Sequence, residues 1–563
     1  MKRAGIFTLL LLITAGYLSL RTAPAPRQLA SLMPGGALLY IESPDFGGLL
    51  SDWDRSKVKA GWLQSVNFAG FSRSNLFTKL QEVYGHYGAA AGFLPSLASV
   101  AEIAGGGSAL ALYEIRDVEF LYVTRITDAS LMKSQLWAVR EQFQQRQSGG
   151  VTFYLRTDPA SRRTVAFAFT NNYLFLATRD DLVAQALELL AGAQNPNLAA
   201  DRWYREAVAA SARAGELRLV MNLESLVKSV YFRSYWVQRN VSVIRRYWAG
   251  VADLSRGRQS ITETRVFLRT PERAGIVHND GAVSGIAELA PPEGGLYRAW
   301  RASDPAAIAA LIVQKLIRPP AASGSDECFA PAAVGEGVAG SEGDLESRID
   351  EEPLPSSAGV AQSITALRAL ADRNDGRATL LVQSSAAVGG PFVVMPSVMV
   401  LEGAGDWNAT LVRDALRAAA GQLWTVSGIG VTWVTDRSTR YAFDRLNGLG
   451  PLLCAVRGHY LYLGNDLRLF TAVLDRSISA SAPVPLTYTA GFRHLQERPN
   501  YQRIMTALDF KLARGMGRGD MPAFFSDNIA SLSQVLSQIQ DVRVSREERD
   551  TEIIETVEYQ MAR

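Results

Sequence analysis

The sequence predicts an α+β protein: two tandem, similar modules with mainly antiparallel sheets packed by helices, preceded by an N-terminal hydrophobic helix. Three observations predict it. Short β-branched and aromatic runs follow one another across tight polar turns, which makes meanders rather than parallel crossovers. A set of short patterns recurs in the same order in two halves of the chain. An uncharged run behind two basic residues opens the chain.

That opening comes first in the chain. Lys2 and Arg3 precede an uncharged stretch, Ala4 to Leu20, and Arg21 ends it. A positive segment before an apolar helix stays on the cytoplasmic side, so the body is expected to be exported. A helix of this length reaches about 26 Å, short of a hydrocarbon core of about 30 Å, which favours a signal peptide. The lack of a clean small-x-small cleavage site, with Arg21 three residues before Pro24, favours a retained anchor. Residues 1–30 are therefore read as a signal-anchor or signal peptide. The expected location is the inner membrane with a periplasmic or extracytoplasmic body, or secretion after cleavage. Residues 4–20 are the expected membrane contact, and no cysteine near them suits lipid attachment.

The whole chain has 563 residues, of which 48% are hydrophobic and 20% charged, the balance of a folded protein with room for several cores. Net charge is only +3, and the arginines are dispersed rather than clustered, so a nucleic-acid surface is not expected. Two cysteines and four histidines make neither a disulfide scaffold nor a metal protein.

The repeat sets the architecture. Val165 to Leu182, with Asn171-Asn172-Tyr173-Leu-Phe-Leu and then Asp180-Asp181, is answered by Leu453 to Leu467, with Gly458-His459-Tyr460-Leu-Tyr-Leu and then Asp466. Each reads as two strands across a polar turn, then an acidic start to a helix. Around it, Pro34-Gly-Gly-Ala-Leu-Leu-Tyr40 recurs as Pro292-Glu-Gly-Gly-Leu-Tyr297, Ser108-Ala-Leu-Ala as Arg377-Ala-Thr-Leu, and Val151-Thr-Phe as Val431-Thr-Trp. Val220-Met-Asn-Leu-Glu is matched to Ile504-Met-Thr-Ala-Leu-Asp509, and Ile261-Thr-Glu-Thr264 to Ile553-Ile-Glu-Thr556. The expected modules are 32–270 and 290–563. Val118 to Thr124 and Ile553 to Tyr559 are expected strands, and Leu131 to Gln147 and Asn408 to Leu423 expected helices.

From Arg318 to Gly359 the chain carries nine acids against two arginines with few large apolar groups, so an acidic, disordered insertion is expected at 318–359. Its Gly335-Glu-Gly337-Val-Ala-Gly340 has the spacing of a dinucleotide-binding turn but lacks the strand before and the helix after, and no cofactor is expected. Export would allow Cys328 to pair with Cys454; the competing reading makes Cys454 a small buried residue of a strand.

No His-Glu-x-x-His or Gly-x-Ser-x-Gly occurs, and His86, His278, His459 and His494 stand alone, so catalytic and metal residues are expected to be none. Ser225-Leu-Val-Lys228 and Ser526-Asp-Asn528 imitate two motifs of penicillin-recognising enzymes without the third.

The least ordinary stretch runs from Val230 to Val251. Val237, Val241, Ile244, Trp248 and Val251 fall on one helical stripe, with arginines and further aromatics around it. In one reading this helix packs on its sheet and against the partner module. In the other it lies on anionic lipid or grips a membrane partner, with Arg233, Trp236, Arg239, Arg245, Arg246 and Trp248 in contact.

The opening Leu32-x-Pro34, the run Ala37 to Tyr40 and then Pro44-Asp45 resemble the start of a family of bacterial exported or membrane-anchored proteins of unknown function. The resemblance implies export and a duplicated α+β layout, and no chemistry. The expected function is a non-catalytic envelope binding or scaffolding protein that uses an inter-repeat groove and the aromatic, arginine-rich helix. A hydrolase acting on an envelope polymer and a lipid carrier are the alternatives. An envelope protein or lipid is the expected partner. A binding groove predicts an aromatic and arginine lining; a hydrolase predicts gathered carboxylates or a serine with a base.

Overall fold

The computed structural model describes residues 28–73, 75–212, 214–229, 244–271, 283–317, 358–384, 395–424, 432–437, 440–447, 451–478, 485–494, 496–497 and 538–562. The expected leader at 4–20, Cys328, the glycine motif at 335–340 and all but the last two residues of the acidic segment lie outside them; Ala358 and Gly359 open a helix.

The first half supplies ten strands: β1 (Leu39–Ser43), β2 (Ser108–Glu114), β3 (Glu119–Arg125), β4 (Gln144–Ser148), β5 (Val151–Thr157), β6 (Thr164–Thr170), β7 (Tyr173–Ala177), β8 (Leu217–Met221), β9 (Tyr247–Arg256) and β10 (Ser260–Arg269). The second half supplies β11 (Leu296–Arg301), β12 (Ala378–Gln383), β13 (Ser397–Glu402), β14 (Thr432–Asp436), β15 (Phe443–Asn447), β16 (Leu452–Arg457), β17 (Tyr460–Gly464), β18 (Tyr488–Phe492), β19 (Ile539–Glu548) and β20 (Glu552–Met561). The pairings among these strands are antiparallel. Across the first half the strands lie in the order 4-5-6-7-3-2-1-8-9-10. Across the second they lie in the order 14-15-16-17-13-12-11-18-19-20. The two runs meet where β10 pairs with β20, making one continuous antiparallel sheet in an α+β fold.

Helices cover both faces. In the first half these are α1 (Phe46–Asp54), α2 (Lys57–Leu63), α3 (Val66–Phe71), α4 (Asn75–Ala91), α5 (Leu97–Ile103), α6 (Asp128–Leu131), α7 (Gln135–Ala138), α8 (Asp180–Ala191), α9 (Arg202–Ala210) and α10 (Leu223–Lys228). In the second they are α11 (Ser284–Ala287), α12 (Pro305–Ile312), α13 (Ala358–Asn374), α14 (Ala409–Trp424) and α15 (Leu467–Leu474). Alternation along the strands sends neighbouring side chains to opposite faces, so each half buries two cores. Leu121, Val123 and Phe175 pack under α8 and α9, while Phe167 and Leu174 pack under α4 and α7. In the second half, Val398 and Val400 pack under α15, and Met399 and Leu401 under α13 and α14.

Several residues matched in sequence hold equivalent places. Tyr40 stands between Ala111 and Val220 on β2 and β8, and Tyr297 between Val382 and Gly491 on β12 and β18. Tyr173 and Tyr460 both open the strand that closes the polar turn. Thr264 and Thr556 face each other directly in the β10–β20 pairing.

Other matches are corrected. Ser108 holds the strand position of Thr379 rather than Arg377, a two-residue slip that keeps every side chain on its face and so escapes a periodicity test. Val151-Thr-Phe lies on β5, whereas Thr432 and Trp433 lie on β14, which occupies the place of β4. The place of β8 is held by β18, and residues 504–509 are outside the described residues.

Two helix expectations also change. Over 131–147 the chain makes only the end of α6, then α7 and a short 3-10 turn, before β4 begins at Gln144. Gly149 and Gly150, both at positive φ (57° and 77°), form a tight turn that pairs this segment with β5 and overrides its helical spacing. The stripe ending in Trp248 and Val251 is strand from Tyr247 onward, because Val251 is held between Val220 and Val266 on the neighbouring strands.

Asp466 caps α15, its carboxylate accepting from the Leu469 N–H at 2.8 Å. Asp466→Ala should cost about 1 kcal/mol of stability, measured by urea unfolding. Asp180 and Asp181 play a different part at the start of α8: they bind Arg146 and Arg179, and no side chain caps that helix.

Candidate functional site

Asn222 starts α10, its side-chain oxygen accepting from the Ser225 N–H at 3.0 Å, and the buried Leu223, Leu226 and Val227 seat the helix over β9. Where β9 begins and β10 ends, the Thr270 N–H donates to the Arg246 carbonyl at 2.9 Å. Between this strand end and α10 lies a cleft of about 380 Å³, lined by Glu224, Val227, Lys228, Arg245, Tyr247 and Thr270 among others.

The floor of this region continues across the β10–β20 seam. The Tyr247 ring packs on Phe267 with centroids 5.4 Å apart. Arg269 on β10 binds Glu548 on β19 at 2.6 Å, and Arg265 reaches Glu263 at 2.7 Å and Glu555 on β20 at 3.0 Å. Arg546 holds the other side of Glu555 at 2.9 Å and lies 5.3 Å from the ring centre of Tyr488. Burial pushes the Tyr247 hydroxyl above its ordinary value, while the nearby charges of Arg269 and Arg546 pull it back. One end of the seam thus gathers tyrosines, a phenylalanine and arginines from both halves, with Glu548 and Glu555 already bound to arginine.

Of the residues expected to contact a membrane or partner, Arg245 and Arg246 are exposed, and Arg245 lines this cleft. Trp248 points the other way. It packs against the core of the first half with the Arg202 guanidinium 4.7 Å from its ring centre, so its contact is internal. Arg233, Trp236 and Arg239 lie outside the described residues. In the sequence Tyr247 is one of the aromatics around the 230–251 stripe, and nothing singles out Phe267, Arg269, Tyr488 or Arg546. They converge only through the β10–β20 pairing, and the match of Ile261–Thr264 to Ile553–Thr556 is the signal nearest to them.

The imitated enzyme motif is occupied otherwise: Lys228 binds Glu224 at 2.8 Å, and 526–528 lie outside the described residues. His86 and His459 are exposed, His494 is buried beside Phe492, and His278 is outside the described residues. Among the described residues no group of three or more His, Cys, Asp or Glu is placed to hold a metal. Cys454 is a buried residue of β16 whose thiol is pushed up by burial, the behaviour of a packing group. A second cavity, of about 200 Å³ and almost wholly apolar, lies between α4, α5 and the sheet, with Tyr87, Phe93, Val100, Ile103, Phe120 and Leu176 in its wall. No described helix is long and apolar enough to cross a membrane.

No family model matches the chain, and no curated protein matches it. Among solved structures, three crystal forms of TP0453 show a weak similarity. Form I has 10% identity and a TM-score of 0.23 and covers 44% of this chain and 81% of that chain. Form III gives 10% identity and 0.25 over the same shares. Form IV gives 11% and 0.24 over 43% of this chain and 81% of that one.

Proposed function

We propose that the chain is an exported envelope protein that binds or scaffolds rather than catalyses, built of two tandem modules, 32–270 and 290–563, that arose by duplication. Residues 4–20 deliver it to the membrane as an anchor or a cleaved leader. The duplication is supported by the strand order, which is the same in both halves, and by register. A two-fold relation between halves requires that equivalent residues meet on the axis, and Thr264 and Thr556, paired in sequence, are opposite each other.

The observation that carries the binding reading is the aromatic and arginine constellation at one end of the seam, drawn from both halves beside the Arg245 cleft. Ligand sites favour such junctions, and exposed arginines beside aromatic rings suit an anionic lipid headgroup. The seam carboxylates Glu263, Glu548 and Glu555 are each engaged by arginine, which speaks for a binding floor over a hydrolase.

The test uses a chain beginning at Gln28 and vesicles containing phosphatidylglycerol. Binding is expected, and Arg245→Glu with Arg246→Glu should weaken it by about 2 kcal/mol, roughly thirtyfold at low salt. A chain that never floats with the vesicles overturns the reading. The apolar cavity beside Tyr87 favours a second reading, the lipid carrier. That reading expects fatty acid or phospholipid to copurify with the protein and to be lost when Val100 is enlarged to tryptophan, as seen by mass spectrometry of extracts.

A further inference from the structure

The two halves differ in one place that opens a site. In the first half, α9 lies over the sheet between α8 and β8, and its Tyr204 meets the buried Tyr40 edge to face with ring centres 5.3 Å apart, beside the buried Val220. In the second half the link from α15 to β18 runs only from 475 to 487, against 192 to 216 in the first, and its described residues, 475–478 and 485–487, form no helix. The partner of Tyr297 across the strands is also not a valine but Gly491. A Cβ there would collide with the Tyr297 ring, so the ring lies across β18 in the space the first half fills with Val220. Arg543 is the next residue across, paired with Gly491 on β19.

The result is a cleft of about 530 Å³ with Tyr297, Ser284, Ser477, Arg476, Arg493 and Arg543 in its wall. The arginines are held in an uncommon way. Arg476 donates through Nε to the Glu288 carbonyl at 2.7 Å. Arg493 donates through one terminal nitrogen to the carbonyls of Pro291 at 2.8 Å, Pro292 at 2.9 Å and Gly294. Backbone carbonyls fix a guanidinium without neutralising it, whereas Arg179, Arg218, Arg265 and Arg549 are all spent on carboxylates. Arg543 stands 3.4 Å from Asp541, and Glu288 also lines the cleft, so among the described residues three guanidiniums face two carboxylates. The Arg493 guanidinium is 6.0 Å from the Tyr297 ring centre, which joins the cationic wall to an aromatic floor.

We propose that this cleft binds a phosphoryl group, with Arg476, Arg493 and Arg543 as donors and Tyr297 as the surface under whatever the group is attached to. Positioned guanidiniums with free forked donors match phosphate oxygens, and the volume exceeds a bare phosphate. The site is independent of the seam: it lies within the second half and uses none of the residues there. A phosphorylated small molecule and a phospholipid headgroup share this chemistry, and the experiment separates them.

Glycerol 3-phosphate is titrated into the full chain in nonionic detergent by calorimetry, and mixed micelles carrying phosphatidic acid are titrated separately, with succinate as a carboxylate comparator. Binding of at least one phosphorylated probe, tighter than succinate, is expected. Arg476→Gln and Arg543→Gln should each weaken it by at least about tenfold with unchanged melting temperature, and Gly491→Val, which restores the residue type of the first half, should abolish it. Saturable binding of free glycerol 3-phosphate points to a soluble ligand; binding of phosphatidic acid micelles alone, lost in the same variants, points to a lipid. No binding of either probe, or binding that the two glutamine variants leave unchanged, overturns the proposal.

Discussion

Replacing Asp253 by alanine is expected to destabilise the folded chain by about 3–5 kcal/mol, because it leaves the Arg218 guanidinium buried without its counter-charge. The two side chains are 5% and 11% exposed and make a forked pair, Nε to Oδ1 at 2.7 Å and Nη2 to Oδ2 at 2.9 Å. The Ser211 hydroxyl and the Gly215 N–H complete the carboxylate at 2.5 and 3.1 Å. Burial alone would raise the Asp253 carboxyl, but the hydrogen bonds from Arg218, Ser211 and Gly215 outweigh it and hold it below the ordinary range. A depressed carboxyl contributes stability that is whole above its unfolded value near about 3.9 and is lost as pH falls through the lower folded value. The wild-type chain should therefore lose this contribution only in strong acid, and Asp253→Asn should remove that part of its acid unfolding profile. The second half puts Thr489 and Ser545 at the corresponding positions of the same register. Arg218→Thr with Asp253→Ser should consequently cost less than Asp253→Ala alone, since no charge is stranded. Urea unfolding at pH 7 and at pH 3 measures both effects.

That substitution also shows why the architecture is legible in the sequence and the sites are not. Tyr173-Leu-Phe-Leu and Tyr460-Leu-Tyr-Leu are short, strongly apolar strands tied to an adjacent turn, so local pattern suffices to align them. Ser108 and Arg377 fall out of step by two because the strand repeat is two, and both alignments bury the same faces. At Gln144 to Ser148 the polar strand has no sequence signature of its own and exists because Gly149-Gly150 turns it against β5. The seam constellation needs Tyr247 and Arg546 brought together by a pairing between strands almost 300 residues apart, β10 at 260–269 and β20 at 552–561, which no local window contains. The arginine cleft depends on what is missing, a shorter link and a glycine in place of a valine. Such absences carry meaning only once the halves are laid in register.

The seam itself gives the other large effect. Strand β10 is bonded on both sides, to β9 along its length and to β20 from Ser260 to Leu268, so Thr264 sits at the middle of an interior strand. Proline there removes an N–H and forces its ring against the neighbouring chain, at a cost of about 3 kcal/mol or more. Whether the damage stays local is decided by how the cores are divided. The clusters around Phe175 and Phe167 draw on the first half and those around Met399 and Phe470 on the second, with Ile554 of β20 the crossing residue that packs on the first core. Among the described residues, little besides the β10–β20 ladder and the Arg265–Glu555 and Arg269–Glu548 pairs therefore couples the halves. Thr264→Pro should split heat unfolding, followed by scanning calorimetry, into two transitions, and limited proteolysis should then cut between 270 and 290 to release two protected fragments. A single transition merely shifted to lower temperature would mean that the halves share one cooperative core, and that the continuous sheet rather than each half is the unit of folding.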